Sequence, residues 1–261
     1  LSEQTYQLIA KRYINQQVQA YEPWSGSYLG IGKISDAFMC EEINNLVFNI
    51  EGLSHLQPGT PIAFSDKLNI EDDLISAQLD NVISAAMIIY LYQNGFQGTA
   101  FFTAQEEAGK SWRYVYEWFR KNKVTTNELL VLDTSPYDTR IEADIQQVVL
   151  RNRDANARFK SPILKQLKNF CHKNGINFSC KDTFIQEKNK VRKEKNLPLL
   201  TLGSTELGRI VMESKGSIQG ATLQIPTTGY HTVEETASIK AVKSILYILS
   251  SLYIDKKPNI K

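Results

Sequence analysis

The fold class is decided by residues 82–132, which read VISAAMIIYLYQNGFQGTAFFTAQEEAGKSWRYVYEWFRKNKVTTNELLVL. Their apolar pattern predicts helices at 82–93 and 111–121, and each helix is followed by a β-rich run, at 98–104 and at 128–132. Alternating helices and strands are typical of an α/β protein. We therefore predict a central mixed sheet flanked by helices. Three further helices and two further strands continue the pattern, the helices at 162–174, 205–214 and 237–253 and the strands near 145–150 and 218–224.

The residues before this stretch have a different pattern. Residues 3–20 suit a single helix, and residues 23–65 contain short β-rich runs separated by turn residues such as Gly52. We therefore divide the chain into a helix with a β-rich segment over residues 1–70 and an α/β domain over residues 71–261.

Composition excludes several classes of protein. The 261 residues carry 30 basic and 28 acidic side chains, and this balance does not indicate a protein that binds nucleic acid. The longest apolar runs, such as residues 85–91, are far shorter than the ~20 residues of a membrane span. The three cysteines, Cys40, Cys171 and Cys180, form no Cys-x-x-Cys pair, so we expect reduced thiols and a cytoplasmic protein.

Five chemically active side chains follow predicted strands or precede a predicted helix. Asp80 comes just before the helix at 82–93, whereas Glu106, Glu107, Asp133 and His231 each come after a strand. Taken singly, Asp80 is more often a helix cap and Asp133 a turn residue, and an acid pair in a first helical turn would also explain the two glutamates. In an open α/β sheet, however, functional groups gather at the carboxyl ends of the strands, so we expect these side chains to lie together.

Three carboxylates and an imidazole form a set of metal ligands. Such mixed oxygen and nitrogen ligands suit Zn²⁺ or Co²⁺, and Mn²⁺ also accepts them. The extra glutamate beside a ligand is placed to act as a general base on a water molecule. The order Asp, Glu-Glu, Asp, His therefore predicts a co-catalytic metal site.

Five segments give this pattern a family resemblance. In their order along the chain they resemble the zinc aminopeptidases whose glutamyl and lysyl members form tetrahedral dodecamers. The wider superfamily also includes N-acyl amino acid hydrolases. The segments are SAQLDN at 76–81, FFTAQEEAG at 101–109, LLVLDTS at 129–135, LGSTELGRI at 202–210 and GATLQIPTTGYHTVEE at 220–235.

The resemblance implies a role for each candidate ligand. Asp80 would bridge two metal ions, Glu106 would be the general base, Glu107 and His231 would complete one metal site, and Asp133 would belong to the other. It also implies a metal-dependent aminopeptidase that acts on the N-terminal residues of peptides and assembles as a homo-oligomer.

The resemblance also implies a substrate-binding turn and an inserted domain. Gly203, Ser204 and Thr205 resemble a Gly-x-Thr/Ser-Asp turn that lines the site in such enzymes, with Glu206 in place of the usual aspartate. Tyr230, which precedes the candidate histidine ligand, is expected to contact substrate as well. The β-rich residues 23–70 are similar to the end of the β domain that these proteins carry.

One ligand of the family pattern is not found. The family takes it from a His-x-Asp motif about a hundred residues before the bridging aspartate, and the residues before Asp80 contain no such motif. His55, in a predicted turn, and His172, at a predicted helix end, are not expected to replace it. Either the sequence lacks its first part, which its start at Leu1 favours, or one metal site is incomplete and a single ion binds.

Two other functions remain open at this point. An N-acyl amino acid amidohydrolase would use the same metal chemistry on a smaller substrate. A non-catalytic member of the family would keep the fold and bind peptides or partners without turnover. The presence of Asp80, Glu106 and His231 favours the enzyme.

Overall fold

The computed structural model describes residues 3–65 and 67–254. The chain divides into two compact units, Leu1–Leu68 and Asn69–Lys261. The sequence-based boundary was expected two residues later, between residues 70 and 71. No helix in the described ranges combines the length and the apolar character that crossing a membrane requires.

The first unit is a four-stranded antiparallel sheet with one helix. The strand order is β3-β2-β1-β4, and Val18, Ala20, Ile34 and Leu53 form its core. Its elements are α1 (Glu3–Tyr13), β1 (Gln17–Tyr21), β2 (Tyr28–Cys40), β3 (Asn45–Glu51) and β4 (Ile62–Phe64).

The single helix predicted over residues 3–20 is wrong beyond Tyr13. Asn15 adopts a left-handed conformation with φ of 73°, which ends helical geometry. Residues Gln17–Tyr21 then pair with β2, and Val18 and Ala20 point into the core. An alternating strand pattern within a short segment thus overrides its helical spacing.

The second unit is the α/β domain. Its sheet runs in the order β5-β6-β11-β10-β8-β9, and β7 also pairs with β10. The sheet is mixed, because β7 is parallel to β10 and β8 to β9 while the other pairs are antiparallel. The predicted fold class is therefore confirmed. The elements are β5 (Asn69–Glu71), β6 (Leu74–Ala77), α2 (Leu79–Gln93), α3 (Ser111–Asn122), β7 (Thr126–Pro136), α4 (Arg140–Asp144), β8 (Val148–Leu150), α5 (Pro162–Lys173), β9 (Phe178–Cys180), α6 (Lys181–Glu194), α7 (Glu206–Glu213), β10 (Ile218–Thr228), β11 (Glu235–Ser238) and α8 (Ile239–Tyr253).

Strand β10 is the centre of this unit. Most of its residues are buried, as expected for a strand covered on both faces. Leu223 and Ile225 belong to the main core, together with Ile245 and Ile248 of α8. At Gly220 a side chain could not fit, since a Cβ atom would lie 2.0 Å from the carbonyl oxygen of Leu129 on β7.

The strand predicted over residues 98–104 does not form, and this described segment is irregular. Its two phenylalanines lie outside the sheet. Phe101 packs against a cluster that includes Val115 of α3 and Ile210 of α7, and Phe102 is 58% exposed. The segment therefore buries one aromatic ring against helices without pairing its backbone to β7.

Candidate metal centre

Asp80 lies where β6 passes into α2. The dihedral angles of Asp80 and Asn81 are not helical, so the chain turns here before the regular helix begins. Two hydrogen bonds hold this turn. The Asp80 amide donates to Oε2 of Glu235 at 2.9 Å, and Nδ2 of Asn81 donates to the carbonyl oxygen of Leu132 at 2.8 Å.

Glu106 and Glu107 lie in a tight turn before α3. Gln105 has φ of 64° and Gly109 has φ of 64°, and both values are left-handed. The Gly109 amide donates to the carbonyl oxygen of Glu106 at 2.6 Å, and the Lys110 amide donates to that of Gln105 at 3.1 Å. The turn thus exposes the two carboxylates side by side.

His231 lies in the loop that joins β10 to β11. Gly229 and His231 both have positive φ, at 71° and 58°, and Oγ1 of Thr232 donates to the carbonyl oxygen of Gly229 at 2.6 Å. The ring of Tyr230 stacks on the imidazole with centroids 3.6 Å apart. The loop therefore presents the imidazole in a constrained orientation.

Asp80, Glu107 and His231 converge, and we call these three side chains the trio. Nε2 of His231 lies 2.9 Å from Oε1 of Glu107 and 3.4 Å from Oδ2 of Asp80. One ligand atom from each residue lies within 4.8 Å of the other two. The hydrogen bond with Asp80, and then the nearby Glu107 carboxylate, raise the pKa of His231 above its ordinary value.

The trio fits a divalent metal ion. Bonds of about 2.0–2.2 Å to a tetrahedral ion separate neighbouring ligand atoms by about 3.4 Å, and Nε2 of His231 lies 2.9 and 3.4 Å from the two carboxylates. Two carboxylates and one imidazole also match the oxygen and nitrogen donors that zinc and related ions accept. The structure thus brings together three of the four predicted ligands.

Asp133 is not part of the trio. It lies on β7, and its register partner is Gln224 on β10. Oδ1 accepts a hydrogen bond from the Thr134 amide at 2.8 Å, and Oδ2 accepts one from Nε2 of Gln224 at 3.1 Å. Burial, and then the charge of Asp80, raise the pKa of Asp133 to about 7.

Two buried residues that sequence reasoning missed support Asp133. Gln224 is 1% exposed, and its Oε1 accepts a hydrogen bond from Nε of Arg151 at 2.9 Å. Arg151 also donates through Nη1 to the carbonyl oxygen of Leu202 at 2.7 Å. A polar residue in the otherwise apolar run GATLQIP was the available signal for Gln224.

A cavity of about 460 Å³ adjoins the trio. Apolar side chains of α2, β7 and the 99–103 segment line most of it, and no lysine, arginine or histidine is among the described residues that line it. Six carboxylates do line it: Asp80, Glu106, Glu107, Glu128, Asp133 and Glu206. The cavity is thus apolar in its body and acidic where Asp80 and Glu107 line it, whereas Glu128 lies farther away along β7.

Two glutamates at the cavity, Glu106 and Glu206, have unusual surroundings. Loss of hydration, and then the charges of Glu107 and Glu206, raise the pKa of the Glu106 carboxyl. Glu206 begins α7, and its buried Oε1 has no hydrogen-bond partner among the described residues. Sequence reasoning noted Glu206 only as a replacement for aspartate.

The predicted substrate-binding residues have other contacts. Thr205 caps α7, and its amide and Oγ1 both donate to Oδ2 of Asp154 at 2.8 Å. Oγ of Ser204 accepts hydrogen bonds from Asn156 and Arg209. Among the described residues that line the cavity, none is Gly203, Ser204, Thr205 or Tyr230, so their role in substrate binding stays a prediction.

A mixed sheet with convergent carboxylates and an imidazole is the arrangement that the sequence predicted for a metal-dependent exopeptidase. The chain belongs to the M42 glutamyl aminopeptidase family, whose model matches residues 49–248. By family it is a metal-dependent aminopeptidase, which confirms the function predicted first from the sequence. No curated protein sequence matches the chain at a significant level.

Solved structures show the same fold. The TET1 peptidase of Pyrococcus horikoshii, described as assembling into a tetrahedron or a large octahedral shell, has a TM-score of 0.62 at 16% identity, over 94% of this chain and 74% of that one. The aminopeptidase APDkam598 of Desulfurococcus kamchatkensis has a TM-score of 0.65 at 12% identity, over 96% and 74%. An endoglucanase of Thermotoga maritima has a TM-score of 0.56 at 10% identity, over 93% and 68%. At such identities the likeness concerns the fold alone.

Proposed function

We propose that the trio holds the metal ion of this aminopeptidase and that Glu106 is its general base. The observation that carries the proposal is the convergence of Asp80, Glu107 and His231, with ligand atoms within 4.8 Å of one another. A divalent ion held there supplies Lewis-acid polarisation of a carbonyl group and lowers the pKa of water. Among the ions that fit these donors, Zn²⁺ is our first choice, ahead of Co²⁺ and Mn²⁺.

Glu106 is suited to move the proton. It adjoins Glu107 in the chain and lines the same cavity as Asp80 and Glu107. Its carboxylate takes a proton from the attacking water and delivers it to the leaving amine, since both events occur on the same side of the scissile bond. A raised pKa brings a carboxyl group closer to the neutral range in which such a transfer is efficient.

We propose one tightly bound ion at the trio. Both oxygens of Asp133 already accept hydrogen bonds, and its pKa, raised to about 7, leaves a substantial protonated fraction at neutral pH. A second ion would need Asp133 to exchange its hydrogen bond with Gln224 for a metal bond. At the trio, a bound ion would replace the contacts that Nε2 of His231 makes with Glu107 and Asp80.

The substrate we propose is a peptide with a free amino terminus and an apolar first side chain. The acidic edge of the cavity attracts an ammonium group, and the unpartnered Oε1 of Glu206 can accept a hydrogen bond from it. The apolar body favours an aliphatic or aromatic side chain. An acidic side chain would meet carboxylates of the lining and no cationic partner among the described lining residues.

Three further properties complete the proposal. The likeness to a TET1 peptidase that forms large shells supports a homo-oligomer. Three free cysteines support a reducing, cytoplasmic location. The β-rich unit supports the assignment of residues 1–70 to an inserted β domain, beside a catalytic domain over 71–261.

Hydrolysis assays test the activity. Purified protein, with and without added Zn²⁺, is offered aminoacyl-anilides and N-acyl amino acids. Metal-dependent release of the aniline from the aminoacyl-anilide supports the aminopeptidase. Release of acyl groups alone would favour the amidohydrolase, and metal binding without turnover of either substrate would favour a non-catalytic member.

A further inference from the structure

Glu235 is a buried carboxylate beside the trio that neither the catalytic nor the ligand roles above use. It begins β11, four positions after His231, and is 1% exposed. Burying a carboxylate is costly unless its oxygens are hydrogen-bonded. Both are: Oε2 accepts from the Asp80 amide at 2.9 Å, and Oε1 accepts from Oγ1 of Thr227 at 2.6 Å.

The backbone of Glu235 is itself firmly held. It pairs with Ala77 of β6, and the following residues of β11 pair with β10 through Thr228↔Thr236 and Thr227↔Ala237. The carboxylate therefore projects from a strand that is paired on both sides. A group on such a strand can fix its hydrogen-bond partners more closely than a group on a free loop.

The two hydrogen bonds join the segments that carry two members of the trio. The His231 loop leaves β10 just after Thr227 and Thr228 and returns to the sheet at Glu235. The bond from Thr227 to Glu235 therefore ties the two ends of that loop together. The bond from the Asp80 amide fixes the other ligand segment to the same carboxylate.

We propose that Glu235 is a positioning residue that sets the separation of Asp80 and His231 through these two hydrogen bonds. The proposal rests on the proposed function, because it takes Asp80 and His231 as metal ligands. Glu235 does not touch the ion. It acts through the backbone of one ligand and through the loop that carries the other, and the loss of such outer contacts typically costs 10–100-fold in metal affinity.

Two substitutions of Glu235 separate hydrogen bonding from charge. Glu235→Gln removes the charge, but its amide oxygen can accept from the Asp80 amide and its amide nitrogen can donate to the Thr227 hydroxyl. Glu235→Leu removes both bonds. Glu234→Gln is the matched control, because its side chain is exposed and the change in charge is the same.

The readouts are the Zn²⁺ affinity, by calorimetry at fixed pH, and the visible absorption spectrum of the Co²⁺-loaded protein. We expect Glu235→Leu to bind Zn²⁺ about 10–100-fold more weakly and to change the Co²⁺ spectrum. Glu235→Gln should stay within about 3-fold of the original affinity with an unchanged spectrum, and Glu234→Gln should match the original protein.

Thr227→Val keeps the inference testable if Glu235→Leu fails to fold, since valine fills the same volume and removes only one bond. It should weaken Zn²⁺ binding by about 3-fold or more. Original affinity in folded Glu235→Leu or Thr227→Val protein would overturn the inference, as would equal losses in the Gln and Leu variants. His231→Ala serves as reference: if it binds Zn²⁺ as tightly as the original protein, the ligand set is wrong, whatever the Glu235 variants do.

Discussion

Nε2 of His231 lies 2.9 Å from Oε1 of Glu107, although 124 positions separate the two residues in the chain. One comes from the loop after the central strand β10 and the other from the turn before α3. Neither residue, taken alone, is marked as a metal ligand by its local sequence. The sheet places His231 at the end of β10, whereas Glu107 follows an irregular segment outside the sheet.

Removing the proposed base should separate catalysis from metal binding. Glu106→Gln keeps the shape of the side chain and leaves Glu107 untouched, so metal content should be unchanged. We expect kcat to fall by about 10²-fold or more, the usual worth of general acid–base catalysis. Steady-state kinetics with parallel elemental analysis measure both. Glu213→Gln, an exposed change on α7, is the control, and full turnover by Glu106→Gln would rule out the assignment.

Asp133 should contribute little to the affinity for the tightly bound metal ion. Its oxygens are engaged by Thr134 and Gln224, so Asp133→Asn should change the affinity for the first Zn²⁺ by less than about 3-fold, whereas losing a trio ligand should cost far more. Calorimetric titration gives the affinity and the number of ions together. Two tight ions per chain, one of them lost in Asp133→Asn, would mean that Asp133 is a ligand after all.

The cavity should set the preference for the first residue of the substrate. We expect kcat/KM for a leucyl-anilide to exceed that for a glutamyl-anilide by about 10-fold or more, equivalent to about 1.4 kcal/mol. Ala85 lines the cavity, so Ala85→Phe should lower the value for the leucyl substrate more than for an alanyl one. Ala86→Phe, at an exposed position on the same helix, provides the control. A preference for glutamyl substrates would show that the side chain binds elsewhere.

Lys181 should make the stability of the protein depend on pH. Its amine is buried, donates to the carbonyl oxygen of Pro136 and lies 3.7 Å from the ring centre of Tyr137. Burial, and then the charge of Arg151, lower its pKa from 10.5 to about 7. Between these values the unfolded chain binds more protons, so the free energy of unfolding should rise with pH, by up to about 1.4 kcal/mol per unit.

Substitution of Lys181 isolates its contribution to the pH dependence of the free energy of unfolding. Lys181→Met should flatten the rise between pH 7 and 10 relative to the original protein, as measured by urea unfolding at each pH. Lys193→Met, at an exposed position on the same helix, should leave the slope unchanged. An equal slope in the Lys181 variant would show that its amine titrates normally.

Helices α2, α3, α5, α7 and α8 were predictable because their apolar patterns are local. The helix predicted at 111–121 is observed at Ser111–Asn122, and Pro162, which follows the capping Ser161, begins α5 as expected. Asp80, Glu107 and His231 stand out because each follows or precedes a clear apolar element. The order of these elements, rather than any one residue, predicted a common site.

The supporting residues could not be predicted because their roles depend on register. Gln224 reaches Asp133 only because β10 and β7 pair those two positions, and Glu235 reaches Asp80 only because β11 pairs with β6. The strand predicted at 98–104 failed for a similar reason: its composition suits a strand, but Phe101 packs against helices instead. The positions of these residues depend on strand pairing between distant segments. A single sequence gives no local signal for that pairing.

The central claim is that Asp80, Glu107 and His231 hold a metal ion, and the metal content of purified protein tests it most directly. Elemental analysis after incubation with Zn²⁺ and removal of the excess compares the original chain with His231→Ala and, as control, His172→Ala. We expect about one tightly bound ion in the original chain and in His172→Ala, and none in His231→Ala. Equal metal in the original and His231→Ala proteins would contradict the account.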